Sequence, residues 1–475
     1  MTRRCYLCSQ CSSVSTQQVK KFKGEGTSSI PTSQVTLTYS SLRRRYCVVS
    51  SQFLAWRGRT TFCFKTRMYT ATGLSTIGRL FLALLFSNPI ILLAAPPLCD
   101  LTIDNSEDCE ALVAFYEATE EALPWPTTKA TTLCNWEGVT CNAATGRVEE
   151  LDVHNLLLRG SIPDDIGKLR DVKRLYLWAN ELGGSIPEAL DGCANLTDLM
   201  LEENLLTGSL PAALGNLDNL EYLGFALNKI TGSVPTTIGA LSKLRSLKGD
   251  YNQIQGSIPS ELGGLKSLAY LILSYNQIEG PVPPELGNLV SLFDLELHNN
   301  YLSSSLPAEL AQLKNLTSLS VGFNYLKGAI PNELGSMPAI VGFFLENNEF
   351  SGTLPQALAG VSSTCRQLEV DHNRLSGAVP SELGLLSALE TFHLASNSFS
   401  GPLPGGLGAS FSNVVSFDVS NNPGIVGPIP QSVEDLACLL QSQGDSTQCL
   451  LNGDSFSAAD CSANPCVVSE CLACT

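Results

Sequence analysis

Only four imidazoles, His154, His298, His372 and His393, stand among 45 acidic side chains in this 475-residue sequence. A histidine beside a carboxylate is where acid–base or metal chemistry begins, so the neighbours of each decide what it offers. His298 follows Glu296 by two residues, which puts both on one face of a strand as an acid–base pair would be. Glu369 and Asp371 form a carboxylate pair of the kind that holds Ca2+ or cleaves glycosides. Neither group has a nucleophile or third ligand beside it, and HEXXH, GxSxG, phosphate-loop and kinase HRD and DFG motifs are all absent. The residues therefore predict no catalytic site, no cofactor and no metal, with the histidines as solvated surface groups.

Cysteine offers a second kind of chemistry. Of 17 cysteines, five precede residue 80 and twelve follow Ala95. Cys5, Cys8 and Cys11 have metal-like CxxCxxC spacing but no fourth ligand and no fold around them, so they read as incidental. The later cysteines gather toward both ends of the body, as disulfide staples do in an oxidising compartment. The expected bridges are Cys134 with Cys141, Cys438 with Cys449, and Cys99 with Cys109. Connectivity among Cys461, Cys466, Cys471 and Cys474 stays open. Cys193 and Cys365 fall at repeated leucine positions and are expected as buried thiols. Two sequons, Asn195-Leu-Thr197 and Asn315-Leu-Thr317, are candidate glycosylation sites of an exported chain.

Charge is unevenly divided. With 29 basic side chains the formal net charge is −16, yet residues 1–79 hold 13 basic groups and one acid, leaving −28 for the rest. An acidic body argues against nucleic acid as a partner and favours a basic one. Residues 80–95, LFLALLFSNPIILLAA, form an uncharged apolar run after Arg79 and before Pro-Pro. This is the layout of a signal peptide over 80–98, with Met68 in place of Met1 as the expected start. The alternatives are a signal-anchor helix with a basic cytosolic tail, which would be the only link to a membrane, and a Ser/Thr/Arg-rich transit peptide. Residues 1–79 are expected to be either a basic, disordered leader or a mis-annotated one. Secretion is the expectation, tethering its alternative.

Self-similarity sets the elements that must carry these groups. The template Leu196-Thr-Asp-Leu199-Met-Leu201-Glu-Glu-Asn204-Leu-Leu206-Thr-Gly208-Ser-Leu210-Pro211 recurs every 24 residues from Leu220, Leu244, Leu268, Leu292 and Leu316. Val148 and Val172 begin earlier copies, and Ile340, Cys365, Leu389 and Val414 later ones. In LxL two aliphatics point to one face of a short strand, and strands of successive copies pair in parallel about 4.8 Å apart. The prediction is an α/β repeat solenoid over 148–437: a right-handed superhelix of about twelve 24-residue coils with a parallel concave sheet. Residues 99–147 would form a helical N-terminal cap and 438–475 a Cys-rich C-terminal tail. Asn recurs at one position from Asn180 to Asn422, placed to satisfy backbone groups as the chain leaves the strand. Gly249 replaces a core leucine, and Phe225, 24 residues earlier, is expected to fill the space.

The CxWxGVxC segment (Cys134–Cys141) followed by NxLxGxIPxxLGxL coils resembles the plant-type extracellular leucine-rich repeat family. That family includes receptor-kinase ectodomains, receptor-like proteins and polygalacturonase-inhibiting proteins. The resemblance covers roughly 105–437 and implies recognition of a protein or peptide ligand on the concave face, in a receptor-like, co-receptor or inhibitor role. No apolar stretch long enough to span a membrane follows residue 437. Strand residues alternating with buried leucines face that side. The candidates are Arg174, Tyr176, Trp178, Asp198, Met200, Glu202, Tyr222, Tyr270, Phe344 and Glu346, with Tyr176, Trp178 and Tyr222 read as an aromatic cluster. The rival reading is a structural or adhesive cell-wall protein that binds polysaccharide through the aromatics.

Overall fold

The computed structural model describes residues 99–433 apart from 101, 121, 126–131, 408 and 409, together with the backbone of Cys449 and Leu450. The leader with Met68, the apolar run 80–95 and Cys438, Cys461, Cys466, Cys471 and Cys474 lie outside the described residues.

Most copies of the repeat lay down a three-residue strand whose middle Leu or Phe is buried, with half-exposed flanking residues in strands such as Asp198–Met200. The strands pair in parallel in chain order within a fourteen-stranded sheet. Register advances one repeat per strand: Leu175 pairs with Leu199, Leu199 with Leu223, Leu223 with Leu247 and Leu247 with Leu271. This is a leucine-rich repeat solenoid. Leu199 and Leu201 are fully buried.

The repeated asparagine ties each coil to the one before. Asn204 Nδ2 donates to the carbonyls of Leu201 in its own coil and Leu177 in the preceding one, and its Oδ1 accepts from the Leu182 N–H. One carboxamide thus satisfies both polarities of buried backbone at the turn. The first coil has Leu156 in that place, and Asn180 of the next coil accepts from both Leu156 N and Leu158 N.

Beyond the turn, the NxLxG segments pair into a second parallel ribbon from Glu279–Gly280 to Gly424–Ile425. The Pro that follows begins a five-residue 3-10 turn such as Ser260–Gly264. Close approach sets one glycine here: a Cβ on Gly263 would lie 2.4 Å from the Glu285 carbonyl oxygen of the next coil. In the core, a Cβ on Gly249 would lie 2.2 Å from the Phe225 ring, which is fully buried and occupies the space of the missing leucine.

The N-terminal cap opens with α1 (Ser106–Ala118), whose N-cap Asn105 accepts from Glu107 N and Asp108 N. Phe115, Tyr116, Trp125 and Trp136 are buried together, with Trp125 and Trp136 ring centroids 5.0 Å apart. Strand β1 (Val139–Cys141) pairs antiparallel with β2 (Val148–Asp152), the first strand of the stack. Disulfides join Cys99 to Cys109 and Cys134 to Cys141, while Cys193 and Cys365 are buried thiols. Buried Asp108 receives two hydrogen bonds from Arg147, at 2.9 and 2.8 Å, and one from Val148 N, locking α1 to β2. Among the described residues no helix is long and apolar enough to cross a membrane.

Candidate ligand-binding face

Because the middle leucine of each strand goes inward, the residues on either side form three columns on the sheet's outer face. These columns, including the residue three after the middle leucine, carry eleven carboxylates from Glu150 to Asp418 against two cations, Arg174 and Lys248. Arg174 is already engaged by Glu150, its Nε 2.6 Å from a carboxylate oxygen. Lys248 Nζ lies 5.8 Å over the Tyr270 ring.

The face binds its carboxylates poorly. Burial raises Glu202, Asp250, Asp294, Glu296 and Glu369 above their ordinary values. Burial, with Glu369 and Asp371 nearby, lifts Glu346 to about 7. Glu202 and Glu346 lean over Gly224 and Gly322, whose missing side chains make room: a Cβ there would sit 1.9 and 2.3 Å from the carboxylate oxygens. Asp294 Oδ1, Glu346 Oε2 and Asp371 Oδ1 are buried without a hydrogen-bond partner among the described residues. Such oxygens lack donors that a ligand cation or N–H could supply.

The expected contact residues divide into groups. Arg174, Tyr176, Asp198, Met200 and Tyr222 sit side by side, with Arg174 paired to Asp198, Asp198 to Tyr222, and Tyr176 to Met200. Trp178 is 37% exposed and stacks on His154 at 4.2 Å, whereas Tyr222 lies at the opposite strand edge beside Asp198. The expected Tyr176–Trp178–Tyr222 cluster is therefore split, because its members stand at different positions across the strand. Tyr270 lies farther along the stack on Tyr270–Ile272, and Phe344 and Glu346 farther still.

Two histidine neighbourhoods were invisible in linear order. His298 Nδ1 lies 3.0 Å from Ser320 Oγ, and His393 Nε2 lies 2.7 Å from Ser416 Oγ. No carboxylate is hydrogen-bonded to the other nitrogen of either ring among the described residues, so neither pair is a triad. His393 also corrects the expectation that nothing joins Glu369 and Asp371. One ligand atom of each of the three lies within 4.8 Å of the others, a set of donors able to hold a divalent cation.

The strand columns also miss a margin of exposed apolar groups. Leu227, Tyr251, Tyr275 and Phe323 occupy the position just before the repeated asparagine, and Tyr301 and Tyr325 the position just after it. All six are exposed, from 40% for Tyr275 to 54% for Tyr325. Tyr251 and Tyr275 stack at 4.2 Å, and Tyr301 and Tyr325 at 6.1 Å. The signal was present in the sequence as aromatic-Asn pairs at 251–252, 275–276 and 323–324, but an alternation rule confined to the strand stops short of them.

Asn195 and Asn315 are both exposed at coil edges, and their amides donate to backbone carbonyls of the preceding coil, Arg170 O and Val290 O.

Comparison with known proteins agrees with this geometry. A leucine-rich repeat N-terminal domain model matches residues 105–142, a leucine rich repeat model 170–230 and a leucine-rich repeat region model 212–340. This chain is a leucine-rich repeat protein, similar to plant-type extracellular members of that class. The repeat protein is 33% identical over 82 residues to the leucine-rich repeat receptor protein kinase EMS1 of Arabidopsis thaliana, a match covering 17% of this chain and 7% of EMS1. Among solved structures it resembles PEPR1 in the PEPR1–AtPEP1 crystal structure, at 29% identity and TM-score 0.63, over 74% of this chain and 52% of that one. It also resembles the Arabidopsis receptor kinase HAESA in complex with the peptide hormone IDA and the co-receptor SERK1, at 30% identity and TM-score 0.61. That match covers 74% of this chain and 58% of the other. The leucine-rich repeat protein thus spans about half the length of those chains and less than a tenth of EMS1.

Proposed function

We propose that this leucine-rich repeat protein is a non-enzymatic extracellular recognition module that binds a basic protein or peptide ligand on its concave sheet. The observation that carries the reading is the set of unsatisfied carboxylate oxygens on Asp294, Glu346 and Asp371 within a face of eleven acids and two cations. Buried acids without donors gain most from a ligand that brings ammonium or guanidinium groups. The structures of PEPR1 with AtPEP1 and of HAESA with IDA and SERK1 support a peptide or protein ligand and a receptor-like or co-receptor role; an inhibitor role fits the same face. Disulfides in the cap support an oxidising, extracellular or membrane-associated setting. Two Ser–His contacts without a bonded carboxylate give catalysis little to work with.

The polysaccharide reading draws on the exposed aromatics. It is the weaker one because stacking at 4.2 Å takes one face of each of Tyr251 and Tyr275, and a neutral sugar brings no cation to the acidic columns beside them. Surface plasmon resonance on the secreted chain tests the proposal with two peptides, one alternating Arg and Ser, the other Glu and Ser. The basic peptide is expected to bind with an affinity that falls as salt rises, and the acidic one not to bind. Equal behaviour of the two would overturn the reading.

A further inference from the structure

The acidic columns do not end at solvent; over the middle of the stack they end at the aromatic margin. Asp250 is followed directly by Tyr251, and the Tyr275 ring stands edge-on to His298 at 5.3 Å. Between these rings and Tyr270 on the other strand edge, the face carries Asp250, Asp294 and Glu296 beside the small buried Ser274 and Ser320. Acid and exposed apolar surface are therefore contiguous.

The margin residues also work against the fold that carries them. Leu227, Tyr251, Tyr275 and Phe323 have φ between 52° and 56°, the left-handed region that bulky L-residues rarely adopt. Asn299 and Asn347 hold the same position with the same φ, and Asn is far better suited to it. The aromatic side chains gain little burial in return, since about half of each remains in water. A residue that strains the backbone and stays exposed is not explained by stability.

Resting on the recognition reading above, we propose that Tyr251, Tyr275 and Phe323 form an apolar docking rim for the aliphatic side chains of a basic peptide whose cations lie on Asp250, Asp294 and Glu296. Charge complementarity selects this occupant: Lys248 is one cation acting on Asp250, Asp294 and Glu296, so a neutral apolar segment would leave net negative charge uncompensated, and an acidic one would be repelled by it. The rim moves the centre of binding away from the Arg174–Trp178 region toward the middle coils.

The test uses the full secreted chain and three peptides of equal length, alternating Arg–Leu, Arg–Ser and Glu–Leu, with a β-linked glucan oligosaccharide as a fourth probe. The Arg–Leu peptide is expected to bind about tenfold more tightly than Arg–Ser, a difference of the size a buried aromatic contact supplies. In Tyr251→Asn/Tyr275→Asn that preference disappears while Arg–Ser affinity is unchanged, and the unfolding midpoint stays level or rises. Phe323→Asn, tested alone, reduces the preference in the same direction. The proposal is overturned if the double variant keeps the preference, if its unfolding midpoint falls, or if Glu–Leu or the glucan binds as well as Arg–Leu. Should Arg–Ser bind and Arg–Leu gain nothing, the rim fails and the acidic face stands. Should neither Arg peptide bind, the recognition reading fails with it.

Discussion

Glu346 sits where burial, two neighbouring acids and a glycine cradle meet. Burial is the largest influence and Glu369 and Asp371 add to it, so its carboxyl titrates at about 7 against 4.5 when unperturbed. A raised acid pKa contributes stability below the unfolded value and loses it as pH rises through the folded one. Glu346→Gln, which stays neutral, should keep a fixed stability offset from wild type below pH 4.5, gain on it steadily between 4.5 and about 7, and hold a constant offset above that. Urea midpoints across that range measure it, and parallel curves would show that the carboxyl is not buried as described. The acid itself was legible in the sequence as a strand-face residue. Its perturbation was not, because that arises from Gly322 in the coil before and from Glu369 and Asp371 in the coil after.

Among the elements, the asparagine ladder has the clearest energetic role. Asn276 Oδ1 accepts from Ile254 N at 3.0 Å, and Nδ2 donates to Gly249 O and Leu273 O at 2.9 and 3.1 Å. Asn276→Ala leaves these buried groups without partners, and a loss of at least about 2 kcal/mol in denaturant unfolding is expected. A loss under about 0.5 kcal/mol would mean that water replaces the carboxamide, and the ladder would then be decorative at that coil. The strand and the asparagine were readable from spacing alone, since both repeat with the coil. The second ribbon beginning at Glu279–Gly280 was not, because NxLxG carries no alternation to mark a strand; it forms only when neighbouring coils bring their backbones together.

For the whole molecule, a stack in which each coil touches only its neighbours depends on what covers its first apolar face. Asp108 and Arg147 hold that cover in place, with the carboxylate fully buried. Asp108→Ala leaves the Val148 N–H without its partner and Arg147 with only Glu107 and Asp171, at 3.8 and 3.9 Å, and a loss of about 1–3 kcal/mol is expected. Hydrogen exchange should show α1 and β2 losing protection while the strand Asp294–Glu296 keeps it, since the effect is confined to the coils near the cap. Uniform loss along the stack would contradict nearest-neighbour behaviour.

Repetition and inward-facing aliphatics were enough to determine the solenoid, its parallel sheet and the Phe225–Gly249 exchange, because each depends on one coil or on two adjacent ones. The acidic charge on which the proposed basic ligand rests was also legible, as net charge needs no coordinates. What only the tertiary structure decided is which of the exposed groups meet. His393 reaches Glu369 and Asp371, Trp178 leaves Tyr222 for His154, and a left-handed turn carries Tyr251 and Tyr275 out to the margin. A linear pattern reports which way a side chain points within its own strand. Side chains in different coils become neighbours only once the coils are stacked in register.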